Sequence, residues 1–199
     1  MSKNKERIIQ SAREFFSKQD FERVSVKEIC ARAGVACSTF YYHFESKEQL
    51  MDYLRAIDDQ QRPEDLIALL TRPNSWEQML AVCSICAKRA KRAGHKLTAQ
   101  YIRRKLSGTD EEEMDEGEHG LGQAQKQEVM ALLTARAQKE GEVRNPNDPA
   151  QLAEAAFHLA DGLMLGWSAS DGAFPLEEAV RAALEVLFDV REDLRKGGA

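Results

Sequence analysis

Residues 25–50, SVKEICARAGVACSTFYYHFESKEQL, decide the fold. Ser25 precedes an apolar stripe at Val26, Ile29, Cys30 and Ala33, and Glu28 stands three residues on as a capping-box partner, so a short helix is expected over 26–33. Gly34 can take the left-handed conformation that ends such a helix and turns the chain within two or three residues. A second short helix is expected over about 37–44, and Ser46 is a natural N-cap for a further helix beginning at Lys47, with Leu50, Met51, Leu54 and Ile57 on its apolar face. Two short helices joined by Ala33-Gly34-Val35, the second rich in small and hydroxyl residues at its start, have the dimensions of a helix-turn-helix.

That reading explains the run Phe40-Tyr41-Tyr42-His43. Phe40 and Phe44 are four apart and share a face, so they can bury against Ile29 and the preceding helix. Ser38, Thr39, Tyr42 and His43 then lie on or near the opposite side, where they can donate hydrogen bonds to phosphates, while Cys37 and Ser38 are placed to read bases. An aromatic core segment is the competing reading, but four ring residues in one short helix cannot all point inward.

Outward from this stretch the pattern is helical throughout. Ile8, Ile9, Ala12, Phe15 and Phe16 mark a first helix over about 3–18, stopping near Asp20. Pro63 and Pro73 punctuate the chain around a short helix at about 64–71, followed by helices over about 75–93 and, after Gly94, to about 106. Residues 107–120, SGTDEEEMDEGEHG, carry seven carboxylates between Asp110 and Glu118 and are expected to be a mobile loop. Helical patterning resumes over about 123–141, then from the Asn145–Pro149 turn to about Ser168, and from Pro175 to about Leu194. The expected fold is all-α with about nine helices: an N-terminal three-helix helix-turn-helix domain (1–48) and a C-terminal helical domain (49–199) for effector binding and dimerisation.

Composition sets outer limits. The chain has 199 residues, 43% hydrophobic and 31% charged, and no apolar run approaches the roughly 18 residues of a membrane span. The N-terminus has no apolar stretch or cleavage site, so a cytoplasmic protein with no membrane partner is expected, and the four cysteines are expected to be free thiols. The net charge of -5 is uneven: residues 1–50 hold nine Lys/Arg against seven Asp/Glu, which leaves the remainder at -7. There is no nucleophile elbow, Gly-rich phosphate loop or metal-spaced histidine set, so no catalytic residue, metal or cofactor is expected and an enzyme is disfavoured.

Residues 8–50 closely resemble the DNA-binding domain of the tetracycline-repressor (TetR) family of bacterial transcriptional regulators. The resemblance runs through Phe16, Phe21, Ser25, Ile29, Ala33, Gly34, Val35, Thr39, Phe40, Tyr41, His43, Phe44, Lys47, Glu48 and Leu50. It implies that Ser25 caps the second helix and touches a phosphate, that Ala36, Cys37, Ser38, Thr39, Tyr41, Tyr42 and His43 supply the recognition surface, and that Lys47 contacts the DNA backbone. Two positions depart from the pattern: Asp20 stands where glycine is usual, tolerable because Asp visits the left-handed region, and Cys30 replaces a common alanine.

Two later segments carry apolar residues far beyond one stripe. Leu152, Ala156, Leu159 and Leu163 on one, with Ala179, Ala183, Val186, Leu187 and Val190 on the next, point to a four-helix bundle formed with a second copy. The resemblance further implies a pocket for an unidentified small-molecule effector, with Trp76, Met79, Cys83, Tyr101, Phe157, His158, Asp161, Met164 and Trp167 as wall residues, and release of a double-stranded DNA operator on binding. An alternative is a thiol-based redox or metal response at Cys83 and Cys86, although the CxxC lacks a second ligand pair. The basic residues between Lys88 and Lys105 are read as a solvated face beside the acidic run, or else as an attractor of an anionic ligand or flanking DNA.

Overall fold

In the computed structural model, which describes residues 2–59, 67, 69–107 and 123–195, the helical patterns of the sequence become nine α-helices and two short 3-10 turns. They are α1 (Lys3–Lys18), α2 (Val26–Ala33), α3 (Cys37–His43), α4 (Lys47–Asp59), α5 (Ser75–Ala93), α6 (His95–Ser107), α7 (Gln123–Lys139), α8 (Pro149–Ala169) and α9 (Leu176–Leu187). Among the described residues the only β pairing is an isolated antiparallel bridge between Val143 and Val190. The expected helix at 64–71 lies mostly outside the described residues, with 67, 69 and 70 helical, and the acidic run lies wholly outside them.

The residues form two compact units, the first drawn from 1–60 and 92–112, the second from 61–91 and 113–199. The first is wider than the 1–48 segment expected from the sequence, because α4 packs on α1 and so does α6. Its core is Ile8, Ala12 and Phe16 from α1, Ile29 and Ala33 from α2, Phe40 from α3, Leu50, Met51 and Leu54 from α4, and Leu97 from α6. Fully burying one such side chain is worth about 1.5–3 kcal/mol, so this cluster holds the short helices that could not persist alone. Polar links reinforce the packing: Arg13 Nη1 lies 2.8 Å from Asp58 Oδ1, and the Tyr101 hydroxyl donates to Asp58 Oδ2 at 3.1 Å, joining α1, α4 and α6.

Local chemistry sets the helix ends of this unit. Ser25 accepts from the Glu28 N–H while Glu28 accepts from the Ser25 N–H, a complete capping box. These hydrogen bonds from Ser25, side chain first and then backbone, hold the Glu28 carboxyl below its ordinary value. Gly34 closes α2 at φ 64°, ψ 42°, with its N–H directed to Ala31 and Cys30. Asp20 does not need glycine's freedom after all: its φ is -66° and its backbone is extended, so the left-handed conformation expected there is absent.

In the second unit α7 packs on α8 and α8 on α9. Trp76, Met79, Met130, Ala156, Val180, Leu184 and Phe188 form the fully buried centre. Asp148 caps α8 by accepting from the Ala150 and Gln151 N–H groups at 3.0 Å, with Pro149 in the first turn. The buried Glu142 carboxylate accepts from the Trp76 N–H at 2.8 Å and so satisfies an otherwise orphaned donor in the first turn of α5. The last helix is shorter than expected. It ends at Leu187, where Asp189 takes φ 45° and the Asp189 and Val190 N–H groups turn back to the Val186 and Glu185 carbonyls, after which Val190 enters the bridge with Val143.

Candidate nucleic-acid interface

α3 is held from behind. Phe40 is fully buried and Phe44 nearly so, their rings 5.8 Å apart, and Phe44 continues to Tyr53 of α4 at 5.5 Å. The opposite face is open: Tyr42 is 83% exposed and Tyr41 58%, Ala36 and Ser38 are exposed, and Cys37, Thr39 and His43 are half-buried. Side chains small enough to admit a close surface therefore sit at the start of the helix, and two phenols project from its middle. The arrangement divides the aromatic run as the sequence pattern requires, with Phe40 and Phe44 inward and Tyr42 outward.

Ser25 is exposed at the start of α2, but its hydroxyl is engaged: it donates to Glu28 Oε2 at 2.7 Å and accepts from the Glu28 N–H at 3.2 Å. Lys47 is engaged too. Its Nζ donates to the carbonyls of Phe21 and Val24, each at 2.8 Å, and stands 4.1 Å from the Phe21 ring centroid. A cation beside a helix N-terminus opposes the macrodipole, and these two carbonyls supply a local reason for placing one there.

The structure adds residues that sequence reasoning missed. Ser2 caps α1 and its Oγ lies 3.2 Å from His43 Nε2. Lys5 Nζ stands 4.1 Å from the Tyr53 ring and 5.5 Å from that of Phe44, and a Cβ at Gly34 would come within 2.5 Å of Arg7 Nη2. The start of α1 thus lies along the helix-turn-helix. The basic residues Lys3, Lys5 and Arg7 are the sequence signal for this placement.

Other sequence-derived sites are dispersed. Trp76, Met79, Cys83, Phe157 and Trp167 are brought together in the second core with Met164 against them, whereas Tyr101 packs in the first core, and His158 and Asp161 face solvent. His158 follows Phe157 directly, about 100° round the helix, so the two cannot both face inward. Of the residues assigned to a contact between copies, Leu152, Ala156 and Val190 are buried in the subunit's own core and have no surface to offer a partner, which corrects their assignment. Val186 is 82% exposed, and Leu159, Leu163, Ala179, Ala183 and Leu187 are half-buried.

No group of three or more metal-binding side chains occurs among the described residues. Burial, with Cys86 adding to it, pushes the Cys83 thiol from its ordinary 9.0 up to about 12, which makes it a poor nucleophile. The folded protein then keeps a proton that the unfolded chain releases, so stability is whole below about pH 9 and falls as pH rises toward 12. Urea midpoints measured from pH 8 to about 10.5 should decline less steeply for Cys83→Ala than for the parent, and equal slopes would contradict this.

A short helix pinned by two phenylalanines behind a left-handed glycine turn, with small and phenolic side chains outward, defines a helix-turn-helix protein. Residues 8–54 match the family described as bacterial regulatory proteins, tetR family. The HTH-type transcriptional regulator UidR of Escherichia coli (strain K12) is 41% identical over 56 residues, 28% of this chain and 28% of UidR, so the match spans under a third of that relative. Across the whole fold, SmeT, the repressor of the Stenotrophomonas maltophilia multidrug efflux pump SmeDEF, superposes with a TM-score of 0.65 at 15% identity, covering 100% of this chain and 97% of SmeT. FadR of Bacillus subtilis in complex with stearoyl-CoA gives 0.56 at 18% identity over 92% of this chain and 97% of FadR. At these identities the likeness is one of fold. No helix of the described residues is long and apolar enough to cross a membrane.

Proposed function

We propose that this protein is a cytoplasmic transcriptional repressor that binds a pseudo-palindromic operator as a homodimer and is released by a small molecule. The observation that carries the reading is the exposed outer face of α3, with Ser38, Tyr41 and Tyr42 outward from a helix anchored by Phe40 and Phe44. Cys37 and Ser38 read base edges, Thr39, Tyr42 and His43 bond phosphates, and Lys47 adds a backbone contact. Residues 1–48 form the reading head and 49–199 the effector and dimer domain. SmeT's description as a repressor and FadR's complex with an acyl-CoA support repression and small-molecule control as modes open to this fold.

Dimerisation uses Leu159 and Leu163 of α8 with Ala179, Ala183, Val186 and Leu187 of α9. An apolar side chain as open as Val186 is best accounted for by a second copy of the same face, because closed two-fold contacts pair identical patches. Two reading heads then meet half-sites about 34–36 Å apart. In sedimentation velocity at micromolar concentration the parent should run as a dimer and Val186→Glu as a monomer with weakened operator binding. A monomeric parent, or a variant that dimerises equally well, would overturn the assignment.

A further inference from the structure

We propose that Cys30 and Cys37 are an oxidisable thiol pair, which a peroxide converts into an intramolecular disulfide that locks the turn of the reading head and weakens its hold on DNA. The inference rests on reading α3 as the DNA-reading helix. The fold brings the two thiols together. Cys30 lies in the last turn of α2 and Cys37 opens α3; between them Gly34 takes φ 64° and the Val35 N–H returns to the Cys30 carbonyl at 3.0 Å, so the chain doubles back. Cys37 packs against the cluster that contains Cys30.

The two sulfurs differ in a way that suits sequential oxidation. Cys37 packs against the core at the edge of α3 yet stays half-buried, so a small oxidant has partial access to it, whereas Cys30 is 2% exposed. Burial, then the neighbouring Cys37, pushes the Cys30 thiol up to about 11, so it is not the first sulfur oxidised; as the resolving sulfur it acts within the same turn, where proximity offsets its weak nucleophilicity. In the first step the Cys37 thiolate attacks one peroxide oxygen; the O–O bond breaks, giving a sulfenic acid and a hydroxide that takes up the thiol proton as water. In the second, the Cys30 sulfur attacks the sulfenyl sulfur; the S–O bond breaks and the leaving hydroxide departs as water with the Cys30 proton. Two thiols lose two electrons and two protons, and hydrogen peroxide is reduced to two waters.

A covalent S–S bond is much shorter than any non-bonded approach of two sulfurs, so closing it draws the start of α3 toward α2. Ser38 and Thr39 follow Cys37 directly and move with it. The other pair, Cys83 and Cys86, is likewise one buried and one half-buried thiol, but Cys83 belongs to the second core and not to the helix-turn-helix.

The test uses the full-length protein and a duplex taken from directly upstream of its own coding sequence. Reduced protein and protein treated with hydrogen peroxide are compared by fluorescence anisotropy, and the disulfide is mapped by peptide mass spectrometry. Peroxide should produce a 30–37 cross-linked peptide, lighter by two hydrogens, and lower DNA affinity about tenfold or more, as loss of one good base contact would, with recovery on dithiothreitol. Cys30→Ala should bind DNA like the parent when reduced and lose the peroxide response, whereas Cys83→Ala/Cys86→Ala should keep it. Absence of the 30–37 peptide, unchanged affinity once it has formed, or an undiminished response in Cys30→Ala would each overturn the proposal. If Cys30→Ala fails to fold, peptide mapping and dithiothreitol reversal on the parent decide it. Reduced protein that binds no DNA would instead count against the DNA-reading assignment, and the mapped peptide would still report on the thiols.

Discussion

Replacing Phe40 by alanine should destabilise the first unit by about 3–5 kcal/mol and abolish specific DNA binding. Phe40 is fully buried, its ring 5.3 Å from Tyr41 and 5.8 Å from Phe44, and it is the one fully buried side chain of a seven-residue helix. A helix that short has almost no stability of its own, so the loss is concentrated where the reading surface is built. Against a total stability of about 5–15 kcal/mol for an ordinary domain, this is enough to melt α3 or the whole head near 37 °C. Tyr42→Ala is the matching control. At 83% exposed it should shift stability by less than about 0.5 kcal/mol while lowering DNA affinity. Circular-dichroism melts paired with anisotropy separate the two, and a Phe40→Ala protein with parental melting and affinity would refute the inward–outward division of α3.

Lys47→Ala should produce the next largest change, and in two separable quantities. Its ammonium holds two carbonyls at 2.8 Å and lies over the Phe21 ring, and hydrogen bonds involving a charged group are worth about 1.5–3 kcal/mol. Removing it leaves the Phe21 carbonyl with only the Val24 N–H at 3.2 Å and takes the ammonium donor from the Val24 carbonyl, so the melting temperature should fall. If the same ammonium also faces a phosphate, the slope of log affinity against log salt should drop by about one unit, uniformly across sequences. A lowered melting temperature with an intact salt slope would make Lys47 a clamp of the turn and remove it from the DNA interface.

Much of the first unit was legible in the residues because its signals are local. Ser25 and Glu28 announce the start of α2 and Gly34 its end, and the four-residue spacing of Phe40 and Phe44 fixes which side of α3 faces in. What was not legible depends on contacts distant in sequence. Nothing near Lys47 says that its amine reaches back to Phe21 and Val24, and nothing near Ser2 says that it meets His43. The end of α9 was missed because Asp189 in the left-handed region looks like ordinary helix surface until Val190 finds Val143.

The second unit misled in a different way. Apolar residues all round α8 and α9 signalled partners on each side, but could not apportion them: Leu152, Ala156 and Val190 are used within the subunit, while Val186 remains outward. The effector wall was assigned by residue type, and type alone cannot distinguish Phe157, turned into the core, from its neighbour His158, turned to solvent.

The central claim is that α3 reads a particular DNA sequence. Its most direct test is fluorescence anisotropy of the full-length protein against the duplex immediately upstream of its own coding sequence, with scrambled duplex as competitor, at about 150 mM salt. Saturable binding of two protomers per duplex that resists the scrambled competitor is the expected result. Binding displaced equally by scrambled and authentic duplex, both there and against sites selected from random sequence, would contradict it.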